Sequence, residues 1–245
     1  KNNDFQLDVN SLHIWPRGEF MLIALPNTDK SFTCTLFMPN SGEVSFDSIN
    51  TEKDVIQFFQ TYFTDALPLL EDFPQSFFDN PTGKLATVYA DEWRFKNNCL
   101  VGDAAHAVVP FFGQGMNASF EDSVVLMDFH KKHNGDWENT LSDYAKHRKP
   151  DADAIAQMAI ENYIEMRDSV AQPEHIRRKK IANTLYKNFP TQFIPRYNMV
   201  SFSSIPYSQV YKRGEIQQEI ITELMDEDLD FSHAKSLIMD KLTEI

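Results

Sequence analysis

The sequence predicts an α+β fold, with an antiparallel sheet early in the chain, helices through most of the remainder, and a glycine-shaped loop between them. Three observations carry this. Residues 11–38 hold three short apolar runs separated by turn residues, and residues 118–170 hold apolar positions at helical spacing. Between them, residues 99–117 pass from a strand-like apolar run through Gly102-Asp103 into a loop containing Pro110, Gly113 and Gly115. A hydrophobic fraction of 42% over 245 residues is enough for a real core.

Taken in order, residues 11–15 and 20–25 flank the turn at Pro16-Arg17-Gly18, and residues 31–38 follow the turn at Asn27-Thr28-Asp29, so the spacing predicts an antiparallel meander. In the third strand Phe32, Cys34 and Leu36 alternate with Thr33, Thr35 and Phe37. Strand periodicity puts Phe37 on the opposite face from Leu36, a face that suits either a packing layer or a ligand wall. Thr51-Glu52-Lys53-Asp54 reads as a helix start, followed by a stripe of Val55, Phe58, Phe59, Tyr62 and Phe63. Pro68, Pro74 and Pro81 mark turns, residues 84–90 alternate as a strand, and Asn97-Asn98 turns the chain into the next apolar run. A helical pattern from 118 to about 147 breaks at Asn134-Gly135, and Lys149-Pro150 opens a second one over 151–170. Three prolines predict an irregular segment over 190–207, and the tail 215–245 is amphipathic, with Ile216, Ile220, Leu224, Leu237, Ile238 and Leu242 as contacts.

A formal net charge of −13 excludes a nucleic-acid binder, which needs a basic face. The run Arg177-Arg178-Lys179-Lys180 reads as one solvated helix face. Cys34 and Cys99, each within an apolar pattern, read as reduced core thiols in a reducing compartment. No apolar run approaches the roughly 20 residues of a membrane helix, and Lys1-Asn2-Asn3-Asp4 lacks signal-peptide features, so a soluble cytoplasmic protein is expected. The seven histidines show no metal spacing, and no metal is expected.

The loop carries the chemistry. A Gly-Asp pair at a strand end lets backbone approach a ligand while one carboxylate accepts hydrogen bonds from ligand hydroxyls, as a polyol offers. Gly113, Gly115 and Asn117 tolerate unusual backbone angles, and with a helix behind them their N–H groups suit an electron-rich acceptor. The composite Gly102-Asp103-Ala104-Ala105-His106, Pro110 and Gly113-Gln114-Gly115-Met116-Asn117 resembles the second flavin-binding motif of the single-component FAD-dependent aromatic hydroxylases. Within that family the resemblance is closest to the members that act on kynurenine. It extends through Leu12-His13-Ile14-Trp15-Pro16, Ala24-Leu25-Pro26-Asn27 and Pro81-Thr82-Gly83-Lys84-Leu85-Ala86-Thr87. It continues in Glu161-Asn162-Tyr163-Ile164-Glu165-Met166 and Phe193-Ile194-Pro195-Arg196-Tyr197.

The resemblance implies a flavoprotein hydroxylase in which NADPH reduces FAD, O2 is captured as a flavin C4a-hydroperoxide, and one oxygen atom goes to the ring of L-kynurenine. It assigns FAD contacts to Gly102, Asp103, Ala104, Pro110, Gly113, Gly115, Met116 and Asn117. Leu12, Met21, Leu25, Phe37 and Phe111 would wall the substrate ring, with Phe112 and Gln114 near the flavin edge. Asn162 and Tyr197 match contacts to the substrate carboxylate, and Glu165 matches a residue needed for activity; Glu165 and Gln114 are the catalytic candidates. Asn162 and Glu165 stand three apart on the predicted helix and so share a side. Without the resemblance the apolar residues read as core, Asn162 and Glu165 as helix surface, and His106 as a structural turn residue.

No Gly-x-Gly-x-x-Gly fingerprint occurs, so the site for the ADP half of FAD is missing. The expectation is therefore a C-terminal portion of a larger flavoprotein that alone supplies half a flavin site. Its parts would be a substrate-binding sheet region (1–90), the end of an FAD-binding domain (91–150) and a helical domain over the substrate pocket (151–245). A hydroxylase of another aromatic acid, and a non-catalytic or split-enzyme module, stay open, as does a homodimer.

Overall fold

Strands β1 (His13–Pro16), β2 (Met21–Pro26) and β3 (Phe32–Phe37) form the expected antiparallel meander in the order β1-β2-β3. The computed structural model from which this is read describes residues 4–71, 73–225 and 230–245. The signal-peptide reading of Lys1-Asn2-Asn3 and part of the tail, residues 226–229, lie outside the described residues.

Met21 stands opposite both Pro16 and Phe37, and Leu22 opposite Trp15 and Leu36, which fixes the two faces of the sheet. The Leu22 face packs, with Phe20 and Met38, on helix α1 (Glu52–Tyr62) through Val55, Phe58 and Phe59. Phe58 lies with ring centroids 5.3–5.8 Å from Phe20, Tyr62 and Phe63, and burying such rings is the main source of stability here. α1 starts as its sequence predicts. The Asp54 carboxylate accepts from Thr51 N at 2.9 Å, and Thr51 Oγ1 accepts from Asp54 N at 3.3 Å.

The chain divides into two compact units. Unit 1 is Lys1–Lys84 with Ile164–Gln172; unit 2 is Leu85–Tyr163 with Pro173–Ile245. In unit 1, α2 (Phe73–Asp79) packs on α1, and a π-helical turn, Glu165–Ser169, packs beside β1, where Gly18 N donates to Arg167 O at 3.1 Å.

Unit 2 opens with a small hairpin, β4 (Arg94–Phe95) and β5 (Asn98–Cys99), turned by Lys96 at a positive φ of 54°. Helices α3 (Asp103–His106), α4 (Gly115–Lys132) and α5 (Trp137–Ile164) follow, then α6 (Pro173–Asn188), α7 (Arg196–Phe202), α8 (Tyr207–Leu224) and α9 (Phe231–Lys241). α4 and α5 meet around Trp93, Ala105, Tyr144 and Ala152; α5, α7 and α8 meet around Ile155, Met158, Met199 and Val210. The tail residues Ile220, Leu224, Ile238 and Leu242 form a further cluster with Leu185 and Phe193, with Ile216 and Leu237 at its margin, as their spacing predicts.

Several expectations need correction. Residues 84–90 are not a strand; Leu85 and Tyr89 are exposed, and the ladder a strand requires is reduced to Val88 N donating to Ala107 O at 2.8 Å. The apolar run after Asn97 is strand only at Asn98–Cys99, and the helix behind the loop begins at Gly115, three residues earlier than its pattern suggests. Asn134 and Gly135 do stop α4, both at positive φ. Pro150 does not open a helix but sits inside α5. It forfeits one backbone bond, and its neighbours Arg148 and Asp151 are held in buried ion pairs that fix the helix on either side. That helix ends at Ile164 and passes into the π-helical turn, so residues 165–170 are not α-helical. The proline-rich segment includes the helix α7. Cys34 is exposed and so is not a core thiol, whereas Cys99 is half-buried against the Trp93-Tyr144 cluster; both are free. Lys179 and Lys180 lie on the solvated side of α6 as expected, whereas Arg178 donates to Gln218 Oε1 and Thr222 Oγ1, both at 2.9 Å. No helix among the described residues is long and apolar enough to cross a membrane.

Candidate functional site

In unit 2 the loop between β5 and α4 is built around Gly102, whose φ of 61° and ψ of −142° belong to a region that side chains rarely adopt. That backbone turns Asp103 and Ala104 outward, both exposed, while Ala105 and His106 turn into the core. His106 stacks on Trp93 with ring centroids 5.2 Å apart. The chain then makes a single turn of 3-10 helix, Pro110–Phe112, closed by Gly113 at φ 65°. Gly113, Met116 and Asn117 are exposed and Gly115 half-buried, and the first-turn amides of α4 have no intrahelical acceptor.

Gln114 is buried and held from two sides. Its Oε1 accepts from Tyr207 Oη at 2.9 Å and from Asn117 Nδ2 at 3.1 Å, and its Nε2 donates to Phe112 O at 3.3 Å. Burial, with Glu121 nearby, pushes the Tyr207 phenol up to about 12, so it remains a donor at neutral pH. Two further elements reach the loop. From α5, Asn162 Nδ2 donates to Phe111 O at 2.7 Å, and Tyr163 stacks on Phe111 at 4.5 Å. From α7, the half-exposed Tyr197 stacks on Phe112 at 5.9 Å. Unit 2 therefore gathers Gly102, Asp103, Ala104, Pro110, Phe111, Phe112, Gly113, Gln114, Gly115, Met116, Asn117, Asn162 and Tyr197 along one loop and the helices that touch it.

Behind the loop lies a charged cluster that the sequence reading did not single out. Asp122 on α4 has none of its surface exposed, and Arg148 on α5 has 1%. Asp122 Oδ2 accepts from Gly102 N at 2.9 Å and from His106 Nε2 at 2.5 Å; Oδ1 accepts from Arg148 Nε at 2.8 Å. Burial alone would raise the Asp122 carboxyl, but the hydrogen bonds from His106, Arg148 and Gly102 outweigh it and hold the group below its ordinary range. Arg148 also faces Glu121 at 3.0 Å and Asp151 at 3.5 Å, and Asp151 Oδ1 accepts from Ser208 N at 2.9 Å. A signal was available: Ala118, Asp122, Val125 and Phe129 share one helical face, and an acid among three apolar positions there has to be paired.

Unit 1 holds the remaining candidates. Met21 and Phe37 are cross-strand partners, and Leu25 lies two pairs further along the same face. Leu12, one residue before β1, continues that alternation. All four thus stand on the sheet face opposite the one packed on α1, with Met21 wholly buried, Phe37 half-buried, and Leu12 and Leu25 about 45% exposed. Glu165 is the exposed first residue of the π-helical turn beside β1, whereas Asn162 belongs to α5 in unit 2. Among the described residues no three His, Cys, Asp or Glu side chains are grouped as a metal ion requires.

An outward carboxylate beside a glycine at a strained turn, then exposed loop residues leading into the open first turn of an 18-residue helix, fits a ligand with hydroxyls at one end and an electron-rich ring at the other. The FAD binding domain family matches residues 19–159, more than half of the chain, and the chain belongs to that family. Among curated proteins it is similar to the kynurenine 3-monooxygenase of Myxococcus xanthus, 47% identical over 98% of this chain and 53% of the relative. The protein of the same name from Dictyostelium discoideum is 46% identical over 96% of this chain and 54% of the relative, and that of Flavobacterium psychrophilum 44% over 91% and 50%. The chain spans about half the length of the curated relatives it matches.

Proposed function

We propose that this chain works as part of an FAD- and NADPH-dependent monooxygenase that hydroxylates L-kynurenine at ring position 3, a step of tryptophan catabolism, in the cytoplasm. The observation that supports it most directly is the convergence of Asn162 and Tyr197 on the Phe111-Phe112 turn of the flavin loop. In this reading Asp103 and the first-turn amides of α4, Gly115 to Asn117, hold FAD, which when bound supplies the oxygen-transfer chemistry with O2. Asn162 and Tyr197 meet the substrate carboxylate through an amide and a phenol donor. Gln114, fixed by Tyr207 and Asn117, keeps one orientation through turnover.

The test uses the full-length gene product loaded with FAD. Added L-kynurenine is expected to accelerate NADPH oxidation and to appear as 3-hydroxykynurenine; neither effect appearing would remove the proposal. Turnover of other aromatic acids with no response to kynurenine would move the assignment within the hydroxylases.

A further inference from the structure

We propose that Asp122 and Arg148 are positioning residues for the flavin, one buried ion pair that clamps both ends of the 102–118 loop so that Asp103 and the loop amides are set before FAD arrives. The inference rests on the FAD-binding reading and adds to it two residues that make no contact with the cofactor.

The start of the loop is tied to the carboxylate. Gly102 N and His106 Nε2 both donate to Asp122 Oδ2, and these bonds hold the backbone on either side of Asp103. The end of the loop is tied to the guanidinium, since Arg148 Nη2 donates to Ala118 O at 3.4 Å in the first turn of α4. Arg148 further meets Asp151, which receives Ser208 N next to Tyr207, the residue that fixes Gln114. One pair therefore reaches the residues on both sides of Asp103, the close of the loop, and the holder of Gln114.

Stability does not account for this arrangement. A buried ion pair costs desolvation that its attraction only roughly repays, and well-packed apolar side chains of similar volume are often as stable or more so. What an apolar pair could not do is point a Gly102 N–H and an Ala118 carbonyl in fixed directions. Preorganisation of that kind shows in ligand affinity, because loop-ordering entropy is then lost on folding and not on binding.

The experiment is a double-mutant cycle on the full-length protein, read by FAD titration of the apo form with flavin fluorescence and the visible spectrum. In D122N an amide can keep the Gly102 and His106 bonds but turns an NH2 toward Arg148 Nε. In R148Q the cation is removed, although a side-chain polar atom stays at the position of Nε. Each single variant is expected to weaken FAD by about tenfold or more, equivalent to about 1.4 kcal/mol. D122N/R148Q, a neutral pair with its hydrogen bond restored, should lose less than the product of the two single factors. Should a single variant fail to fold, E121Q removes the half-exposed partner of Arg148 and is expected to weaken FAD by roughly twofold to fivefold. Folded variants with a lowered melting temperature but wild-type FAD affinity and spectrum would overturn the proposal alone. A wild-type protein that binds no FAD would overturn the reading beneath it as well.

Discussion

Replacing Gly102 by alanine tests whether the loop depends on its backbone geometry. At φ 61° and ψ −142° an L side chain is strained by about 1–3 kcal/mol. A Cβ at this position would lie 3.3 Å from Ser119 Oγ and 3.4 Å from Ser119 Cβ, tighter than ordinary contact. Ser119 cannot retreat freely, because its hydroxyl donates to Gly115 O at 2.9 Å, and loss of that bond costs about 0.5–1.5 kcal/mol. Alanine recovers about 0.4–1 kcal/mol by stiffening the unfolded chain. The net is a loss of about 1–3 kcal/mol, which at about 2–4 °C per kcal/mol for a protein of this size lowers Tm by about 2–12 °C. The assay is thermal unfolding followed by circular dichroism, with G83A as the control. A Cβ at Gly83 meets nothing within 4 Å and its φ is ordinary, so that variant should be neutral or slightly stabilised. A Tm for G102A within a degree of wild type would refute the strain argument, and unchanged FAD affinity would refute the role of this backbone in holding Asp103.

Three further outcomes follow from the structure. Y207F removes the donor to Gln114 Oε1 but leaves Asn117 bound there, so no acceptor is orphaned; urea unfolding should show a loss of about 0.5–1.5 kcal/mol with an unchanged m-value. The Asp122 carboxyl titrates below its unfolded value of 3.8, so the stability it contributes is complete above that value and is lost as pH falls through the lower folded value. Acid titration of wild type should therefore show a destabilising component below about pH 4 that D122N lacks, and equal acid slopes for the two would contradict the pairing. F58A empties the centre of the unit 1 aromatic cluster and should cost about 3–5 kcal/mol, whereas F202A, at a residue 78% exposed, should cost almost nothing in urea denaturation.

The parts of this fold that could be read from the sequence are those whose causes lie within a few residues of one another. The meander follows from alternation and from turns at Pro16-Arg17-Gly18 and Asn27-Thr28-Asp29; the start of α1 follows from Thr51 and Asp54, and the end of α4 from Asn134-Gly135. Local rules failed where distant partners decide. Pro150 is a helix breaker by its own chemistry, yet Arg148 and Asp151 anchor α5 on both sides of it. Residues 84–90 have the alternation of a strand, but alternation cannot supply a neighbouring strand. The return of residues 164–172 to unit 1 has no local signature. At the candidate site the motif loop was legible because glycine, proline and aspartate each have a narrow conformational use. The Asp122-Arg148 pair joins residues 26 positions apart, and only the apolar company of Asp122 hinted at it.

The pairing of Met21 with Phe37 and of Ile23 with Thr35 makes the inner turn lengths of the meander a parity constraint. Adding one residue between Pro16 and Met21 and letting β2 slide to absorb it would exchange its odd and even side chains. Leu22 would leave the aromatic cluster, and Met21 would turn toward it. Length variation at this hairpin is therefore tolerable in steps of two and disruptive in steps of one, irrespective of how conservative the inserted amino acid is.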